Sequence, residues 1–308
     1  MTTLLDMIDE VSMNLSGYTL QQDRATHITA DVAATASTIA APITLSLAST
    51  DSVGKGIVEI DEELFWVDNY DRVGNTATIA PYGRAYIGTT LAAHTAGAKV
   101  TIAPTFPRFT IKRAINDTIS AIGSSIFAAS TTTITSNSAV SAFRLPTTGT
   151  TLNISKILSI AYQALGSSKE WIPIRSYRFD GNANSTAFTS GQTVSIYDYI
   201  PSGRTVQVVY ATDPTIFSTN ADVFTTQTGL PESCKDLIIL GATYRLLSNL
   251  DPARASMVSP QADETDSKRP YGSSQSLTKQ VYALFNQRLN EEIKNQQDKY
   301  PIRVHYSL

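Results

Sequence analysis

Four widely separated segments of the chain repeat apolar residues at the spacing of an amphipathic helix. Residues recurring at three- and four-residue intervals predict helices that bury one face. The second segment carries an unbroken isoleucine stripe, and the second and third begin with a proline, which suits a first helical turn. The predicted helices are Leu4–Leu15, Pro107–Phe127, Pro231–Leu250 and Ser276–Gln297.

The stretches between these helices alternate apolar and polar residues, which predicts strands. Residues 40–105 form one β-rich block and residues 130–227 a second. Turn signals such as Asp180-Gly181 divide the second block at the spacing of a small sandwich or barrel. The predicted strands are Ile57–Ile60, Leu64–Val67, Thr76–Ile79, Lys99–Ile102, Ser159–Tyr162, Trp171–Phe179, Thr193–Tyr199 and Thr205–Tyr210.

This order predicts an α+β fold, in which a four-helix bundle is interrupted by two β-rich insertions, a small β module and a β-sandwich or barrel. A polar loop at 251–275 separates the last two helices, and an alternating segment after Pro301 predicts an extended arm. The expected segments are an N-terminal helix and linker at 1–39, the first insertion at 40–105, a core helix at 106–129, the second insertion at 130–227, core helices at 228–298 and the arm at 299–308.

Composition narrows the possible functions. The 308 residues are 42% hydrophobic but only 17% charged, with a formal net charge of −3. An acidic chain is not expected to hold DNA through its phosphates, although DNA can slide past it. The single cysteine excludes an internal disulfide, the acidic first ten residues are unlike a signal peptide, and the sequence contains no apolar run long enough for a membrane span.

Two stretches carry a resemblance to a known family. One is Leu230-Pro231-Glu232 followed by Asp236–Ala242 and Tyr244–Leu247, and the other is Tyr82–Thr89 followed by Ala93-His94, Gly97 and Val100. With the order of helices, they resemble the head-to-tail connector or adaptor proteins of tailed bacteriophages, and the second stretch is similar to a small β module of phage virion proteins. The resemblance implies a structural protein assembled in the host cytoplasm. It implies a ring, commonly a dodecamer, in the virion neck.

The resemblance also implies partners. These are other copies of the chain, the portal protein, a stopper, tail-terminator or tail protein, and DNA that passes through the lumen without specific contacts; no membrane is implied. A tail-tip or baseplate protein with carbohydrate-binding β domains is the alternative, although four separated helices argue against it. A tail-associated hydrolase is a third possibility, which the lack of a recognisable catalytic pattern disfavours.

The residues that could act in catalysis or bind a metal are better explained by structural roles. His94 precedes a strand and is interpreted as a turn residue, and Cys234 lies on an apolar helix face and is interpreted as a small core residue. The alternating Asp180, Asn182 and Asn184 lack the later glutamate of a calcium loop and are interpreted as a hairpin turn. No enzyme activity, cofactor or metal is therefore expected.

An acidic set forms a further candidate. It is interpreted as a solvated hairpin tip in preference to a carboxylate pair for glycoside hydrolysis, because the sequence places no acid there in an apolar pocket. In a ring such acids could also line the channel. The set is Asp61, Glu62, Glu63, Asp68 and Asp71.

Two groups of residues are candidates for contacts with partners. Lys112, Arg113 and Asp117 lie off the isoleucine stripe and are interpreted as an intersubunit ion-pair face in preference to a phosphate site. The arm supplies the other group, with Ile302, Arg303, Val304 and Tyr306 as docking residues. The tyrosines of the second β block, Tyr177, Tyr197, Tyr199 and Tyr210, are interpreted as sheet packing or as a protein-facing patch.

Overall fold

The computed structural model describes residues 1–19, 23–35, 37–123, 125–137, 139–145, 154–165, 169–248 and 273–301. The predicted loop at 251–275 lies almost wholly outside the described residues, and the proposed docking residues Ile302, Arg303, Val304 and Tyr306 lie outside them too. The chain divides into two compact units. The barrel unit comprises Leu5–Ile115 and the stretch from Ile239 to Val281, and the sandwich unit comprises Met1–Leu4, Asn116–Ile238 and the chain from Tyr282 onwards.

The four predicted amphipathic helices are present, with ends that differ from the predicted ones by a few residues. The isoleucine stripe of the second is buried along its length, as the periodicity predicts. None of the described helices is both long and apolar enough to cross a bilayer. The helices are α1 (Leu4–Thr19), α2 (Ser37–Ala40), α3 (Arg108–Ile122), α4 (Phe224–Thr228), α5 (Lys235–Leu247) and α6 (Ser273–Lys299), with 3₁₀ turns at Tyr86–Gly88 and Glu232–Cys234.

Strands account for most of the remaining regular structure, and every pair of described strands is antiparallel. Those predicted from alternation are present, but the predicted strand Trp171–Phe179 is two strands. The strands are β1 (Arg24–His27), β2 (Ile43–Ser46), β3 (Gly56–Ile60), β4 (Glu63–Asp71), β5 (Thr76–Ile79), β6 (Lys99–Ile102), β7 (Ala128–Thr135), β8 (Ala142–Arg144), β9 (Ile154–Gln163), β10 (Trp171–Pro173), β11 (Tyr177–Asp180), β12 (Thr193–Ile196) and β13 (Thr205–Thr212).

The prediction of a four-helix bundle is wrong. The described strands form three sheets around two hydrophobic cores, one within the six-stranded sheet and one shared by the other two sheets, and α3, α5 and α6 each contribute residues to both compact units. The physical reason is that an apolar stripe shows that a helix buries one face but not what it buries that face against. The fold is therefore a mixed α and β structure in which antiparallel sheets dominate.

The barrel unit is built on a six-stranded sheet in the order β1-β6-β3-β4-β5-β2. Its two edges meet, because the Thr29 N–H donates to the Ser46 carbonyl at 2.9 Å and the Ala48 N–H donates to the His27 carbonyl at 3.0 Å. This closure leaves no open sheet edge there. Side chains from all six strands or their ends fill the interior, among them Ile28, Leu45, Val58, Phe65, Ala77 and Val100.

The sandwich unit contains a four-stranded sheet in the order β10-β9-β13-β7 and a three-stranded sheet in the order β11-β12-β8. Ile160 and Val208 of the first sheet share one apolar core with Val194 and Ile196 of the second. The two sheets therefore face each other across this core, as in a small sandwich. The long strands β9 and β13, which pair antiparallel although three strands separate them in the sequence, lie at the centre of the four-stranded sheet.

Candidate functional site

A cluster of charged side chains lies inside the barrel unit. Glu63 opens β4, Arg84 lies in the loop that follows β5, and His94 lies in the extended segment before β6. Their exposed fractions are 1%, 2% and 2%. Strand alternation explains the position of Glu63, because it lies on the same face of β4 as the core residues Phe65 and Val67.

Arg84 and Glu63 form a two-point ion pair. Nε of Arg84 donates to Oε1 of Glu63 at 3.0 Å, and Nη2 donates to Oε2 at 2.8 Å. The guanidinium also donates to the carbonyl oxygens of Ala33 and Ala92, and it lies 5.1 Å from the ring centroid of Phe65. The pair is fully buried, and each partner neutralises a charge that the barrel interior would otherwise exclude.

His94 lies between two carboxylates. Its Nε2 is 3.0 Å from Oε2 of Glu63, and its Nδ1 is 2.7 Å from Oδ2 of Asp61, which stands at the β3–β4 turn. Since both ring nitrogens face acceptors, the arrangement favours the doubly protonated imidazolium. The backbone of His94 is fixed as well, through reciprocal bonds with Val32 at 2.8 and 2.9 Å.

The pKa values follow from these contacts. Burial alone would raise the pKa of Glu63, but the hydrogen bonds from His94 and Arg84 outweigh it and lower that pKa to about 2. Burial would lower the pKa of His94, and its hydrogen bonds to Glu63 and Asp61 outweigh that effect and raise it. At neutral pH the cluster therefore holds a carboxylate and a guanidinium, and the raised pKa of His94 favours the protonated form of its imidazole.

The backbone around the cluster shows why its loop carries glycine and threonine. A Cβ at Gly83 would lie 2.8 Å from the Ala80 carbonyl oxygen and 2.9 Å from that of Trp66, so only glycine fits. Oγ1 of Thr89 accepts a bond from the Leu64 N–H at 3.1 Å and donates to the Tyr86 carbonyl at 3.0 Å. Backbone N–H groups of Ala85 and Ala92 also donate to Glu63, which fixes both ends of the loop.

The anchored loop holds strained backbone at its surface. Tyr82, Ala85 and Ile87 all have positive φ, at 60°, 49° and 55°, which is costly for residues with a Cβ, most of all for a β-branched one. Tyr82 and Ile87 are 71% and 65% exposed, and Trp66 contacts Tyr86 at 5.3 Å between ring centroids. The buried charged cluster thus holds in place a loop that exposes the apolar side chains of Tyr82 and Ile87.

The remaining acids of the predicted hairpin tip have different surroundings. Glu62 pairs with Lys112 of α3 at 3.1 Å, while Asp68 and Asp71 are exposed. The interpretation as a solvated tip thus holds for Asp68 and Asp71 but is wrong for Glu63. The interpretation of His94 as a turn residue also understates its role, because both of its ring nitrogens bond to carboxylates.

The predicted ion-pair residues of α3 lie on its outer side. Lys112 is half-buried against Glu62 of the same chain, and Arg113 and Asp117 are exposed. At the start of this helix, the backbone N–H of Arg108 donates to Oε1 of Glu59 at 2.6 Å. Burial raises the pKa of Glu59 to about 7, although the bond from the Arg108 N–H opposes that rise.

The sandwich unit contains a pocket of about 430 Å³ between the start of β7 and the end of α6. Its lining includes Phe127, Leu230, Cys234, Glu292 and Tyr300. Cys234 is 1% exposed, and burial, with the charge of Glu292 as a smaller cause, raises the pKa of its thiol to about 12. The thiol is therefore protonated and unreactive, in agreement with its interpretation as a core residue.

The other residues considered from the sequence serve local structure. The Asp180 carboxylate accepts a bond from the Asn182 N–H at 3.0 Å, and Asn184 accepts one from the Thr186 N–H at 2.9 Å, as turn residues do. Tyr210 is buried, whereas Tyr197 and Tyr199 are 62% and 87% exposed. The tyrosines thus divide between core packing and surface.

Comparison with known proteins gives one family. The family model described as SU10 adaptor protein matches residues 89–305, which is more than half of the chain. The match begins at Thr89 within the anchored loop and covers His94, β6 and all the sheets of the sandwich unit. No curated protein matches the chain.

Proposed function

Since this chain belongs to the SU10 adaptor protein family, we propose that it forms a ring in the neck of a tailed-phage virion. The family is one of phage adaptor proteins, which makes the chain a structural component of a virion. In the proposed role, the ring joins the portal to a stopper, terminator or tail protein and lets DNA pass through its lumen. It has no catalytic activity of its own. The observation that carries the proposal is the family match over residues 89–305.

The chemistry of the chain supports a non-enzymatic role. The buried histidine, arginine and glutamate of the barrel unit bond to one another and to backbone groups of the same chain. The sole cysteine is protonated and buried. Groups so occupied are suited to holding a loop in shape, because a nucleophile or a general base must reach a substrate.

Exposed apolar side chains supply candidate surfaces for assembly. A closed ring needs two different surfaces on each copy that fit each other. The barrel unit exposes Tyr82 and Ile87, and the sandwich unit exposes Trp171, Tyr197 and Tyr199. Tyrosine and tryptophan are enriched in protein interfaces, so these side chains suit contacts between copies or with the portal. Lys112, Arg113 and Asp117 remain proposed participants in intersubunit ion pairs, and Lys112 also pairs with Glu62 of its own chain at 3.1 Å.

Ring formation is the test of this proposal. We expect the purified protein, alone or mixed with portal, to form closed rings in negative-stain images, with a mass near that of twelve copies by mass photometry. Cryo-electron microscopy of virions should place these rings at the neck. A protein that stays monomeric with portal present, or density at the tail tip instead, would exclude the neck role.

The C-terminal arm has a separate test. We propose that Ile302, Arg303, Val304 and Tyr306 contact a partner in the assembled neck, with the aromatic ring and the arginine as anchors. Deleting Ile302–Leu308 should leave rings intact but reduce the joining of heads to tails. Normal yields of infectious particles from the deletion would show that the arm has no docking role.

A further inference from the structure

Much of the lining of the pocket in the sandwich unit is apolar. Ile126, Phe127 and Ala129 come from the start of β7 and the residues before it, and Leu230 and Pro231 come from the segment that follows α4. The volume of about 430 Å³ lies in the range of sites that hold a small ligand or a side chain of a partner protein. Such a surface favours an apolar group.

Two lysines lie against the aromatic rings of this pocket. Nζ of Lys156 in β9 is 4.3 Å from the ring centroid of Phe127, and Nζ of Lys299 in α6 is 5.6 Å from that of Tyr300. The two rings are themselves 5.9 Å apart. Neither lysine forms an ion pair with an acid of the described chain. Each ammonium therefore keeps N–H donors for a ligand while it contacts its ring.

The acid in the pocket lining, Glu292, is already neutralised from within the chain. Its Oε1 accepts a bond from Nη2 of Arg288 at 3.0 Å, and its Oε2 accepts one from the hydroxyl of Ser233 at 3.1 Å. The Glu292 side chain is only 5% exposed, whereas Lys156 and Lys299 are exposed residues. A ligand that reaches the two rings therefore meets positive charge.

We propose that this pocket, with Lys156 and Lys299, binds an apolar side chain that acidic residues flank in a segment of a partner protein. The apolar lining accommodates the side chain, and the two ammonium groups pair with the acids around it. A nucleic acid fits less well, because Lys156 already covers a face of Phe127 on which a base would stack. The site lies within the sandwich unit of one chain, so the proposal does not depend on ring formation.

A partner of different sequence fits this site better than a second copy. The acidic run at residues 61–63 precedes Leu64 and so has the required pattern. Its three acids, however, bond to His94, Lys112 and Arg84 of their own chain. They would have to leave these partners before they could bind another copy, which would strand the buried charge of Arg84.

Binding of a defined peptide tests the proposal on the intact protein. The probe is a fluorescein-labelled peptide in which one leucine stands between two pairs of glutamates, titrated with protein and followed by fluorescence anisotropy. Binding should weaken as sodium chloride is added, because salt screens exposed ion pairs. Replacing the central leucine of the probe by alanine should weaken binding by about tenfold or more, since the pocket then receives less apolar surface.

Matched substitutions separate the two parts of the site. Lys156→Gln combined with Lys299→Gln should weaken binding about tenfold, because each exposed ion pair contributes up to about a factor of five. Lys294→Gln is the control, since this exposed lysine of α6 does not line the pocket. Thr225→Trp should fill the pocket and abolish binding, whereas Thr226→Trp places the same side chain on an exposed neighbour and should behave as wild type. Circular dichroism would confirm that each variant folds.

Several results would overturn the proposal. The wild-type protein could fail to bind the probe saturably, bind the leucine and alanine probes equally, or bind no more tightly than the double lysine variant. Tighter binding of a labelled oligothymidylate, lost in the lysine variant, would assign the site to nucleic acid. Association of the protein with itself that is lost in Thr225→Trp but kept in Thr226→Trp would assign the site to a second copy.

Discussion

The barrel unit encloses an arginine, a glutamate and a histidine in its interior, whereas the described core shared by the two sheets of the sandwich unit is apolar. The sandwich unit also has a well-connected arginine, Arg288 of α6, but this residue lies near the surface. It bonds to Asp236, Glu291 and Glu292, of which the first two have side chains 53% and 45% exposed. Similar ion pairs thus occur in two very different surroundings.

The difference shows what each set of charges contributes. An exposed ion pair adds little to stability, because each charged group gives up hydrogen bonds to water when it binds its partner. A buried charge that loses its partner destabilises the fold by the full free energy of desolvation. The buried cluster therefore contributes little as an attraction and a great deal as a constraint. It fixes the loop in the one geometry that gives every buried charge a partner. That geometry holds Tyr82, Ala85 and Ile87 in strained backbone conformations.

The largest effect should come from Arg84→Ala. This change leaves the Glu63 carboxylate buried without its two-point partner, and breaking a buried pair in this way costs about 3–5 kcal/mol. Chemical denaturation followed by circular dichroism would measure the loss. Arg72→Ala is the matched control, because Arg72 is an exposed arginine of the same unit that contacts the ring of Tyr70. A loss no larger than that of the control would show that the cluster is dispensable.

Glu59→Gln should give the next largest effect, through its pH dependence. The pKa of Glu59 is raised to about 7, so its contribution to stability is complete below about pH 4.5 and is lost as the pH rises to 7. Glutamine keeps an oxygen that can accept from the Arg108 N–H. The variant should gain up to about 3 kcal/mol relative to wild type between pH 4.5 and 8. Parallel stability curves over this range would contradict the assignment.

His94→Gln sharpens the comparison inside the cluster. A raised histidine pKa contributes stability that is complete below pH 6.5 and is lost as the pH rises through the folded-state value. Glu63, with its lowered pKa, acts oppositely and loses its contribution as the pH falls from 4.5 towards 2. We expect the variant to be about 2 kcal/mol less stable near pH 5.

That deficit should shrink on the alkaline side, because wild-type His94 then also becomes neutral. The groups that face its ring are Asp61 and Glu63, with Arg84 bound to the same carboxylate. Urea titrations at closely spaced pH values would measure the stability deficit of His94→Gln. The variant His27→Gln would show how much the loss of any histidine changes the pH dependence of stability. A deficit that stays constant from pH 5 to pH 9 would show that His94 does not titrate in the folded protein.

The sequence alone predicted the helices and many of the strands, because each shows a regular apolar period. It missed β7, which is largely threonine and serine and has no apolar alternation except at Ile134, and it missed the short strands β1, β2 and β8. It also placed the helices in a bundle, since periodicity reports a buried face without its partner. Which element a helix packs against depends on contacts between residues that are distant in sequence.

The buried cluster was partly readable. Arg84 and His94 belong to a glycine-flanked motif, and Asp61 and Glu63 belong to an acidic set whose sequence pattern predicts a solvated tip. The overlooked signal was register: Glu63 shares its strand face with Phe65 and Val67, so β4 itself points an acid at the core. A buried acid either pairs with a cation or has a raised pKa, and Arg84 and His94 are the two cationic candidates within the glycine-flanked motif.

The smallest effect is expected from the surface network. Asp236→Ala removes the bond to Arg288 at 2.7 Å, but the aspartate side chain is 53% exposed and water can replace it. Exposed pairs contribute about 0.2–1 kcal/mol, and salt screens them. A double-mutant cycle of Arg288→Ala with Asp236→Ala should therefore give a coupling below about 1 kcal/mol.

The dependence on salt concentration should distinguish the surface pair Arg288–Asp236 from the buried pair Arg84–Glu63. Sodium chloride at 1 M should nearly abolish the Arg288–Asp236 coupling, since the Debye length is then about 3 Å. The destabilisation caused by Arg84→Ala should persist at the same salt concentration, because ions do not enter the barrel interior, where both partner side chains are 0% exposed. If salt weakened both interactions equally, the Arg84–Glu63 pair would have to be accessible to solvent, and the distinction between an interior constraint and a surface attraction would fail.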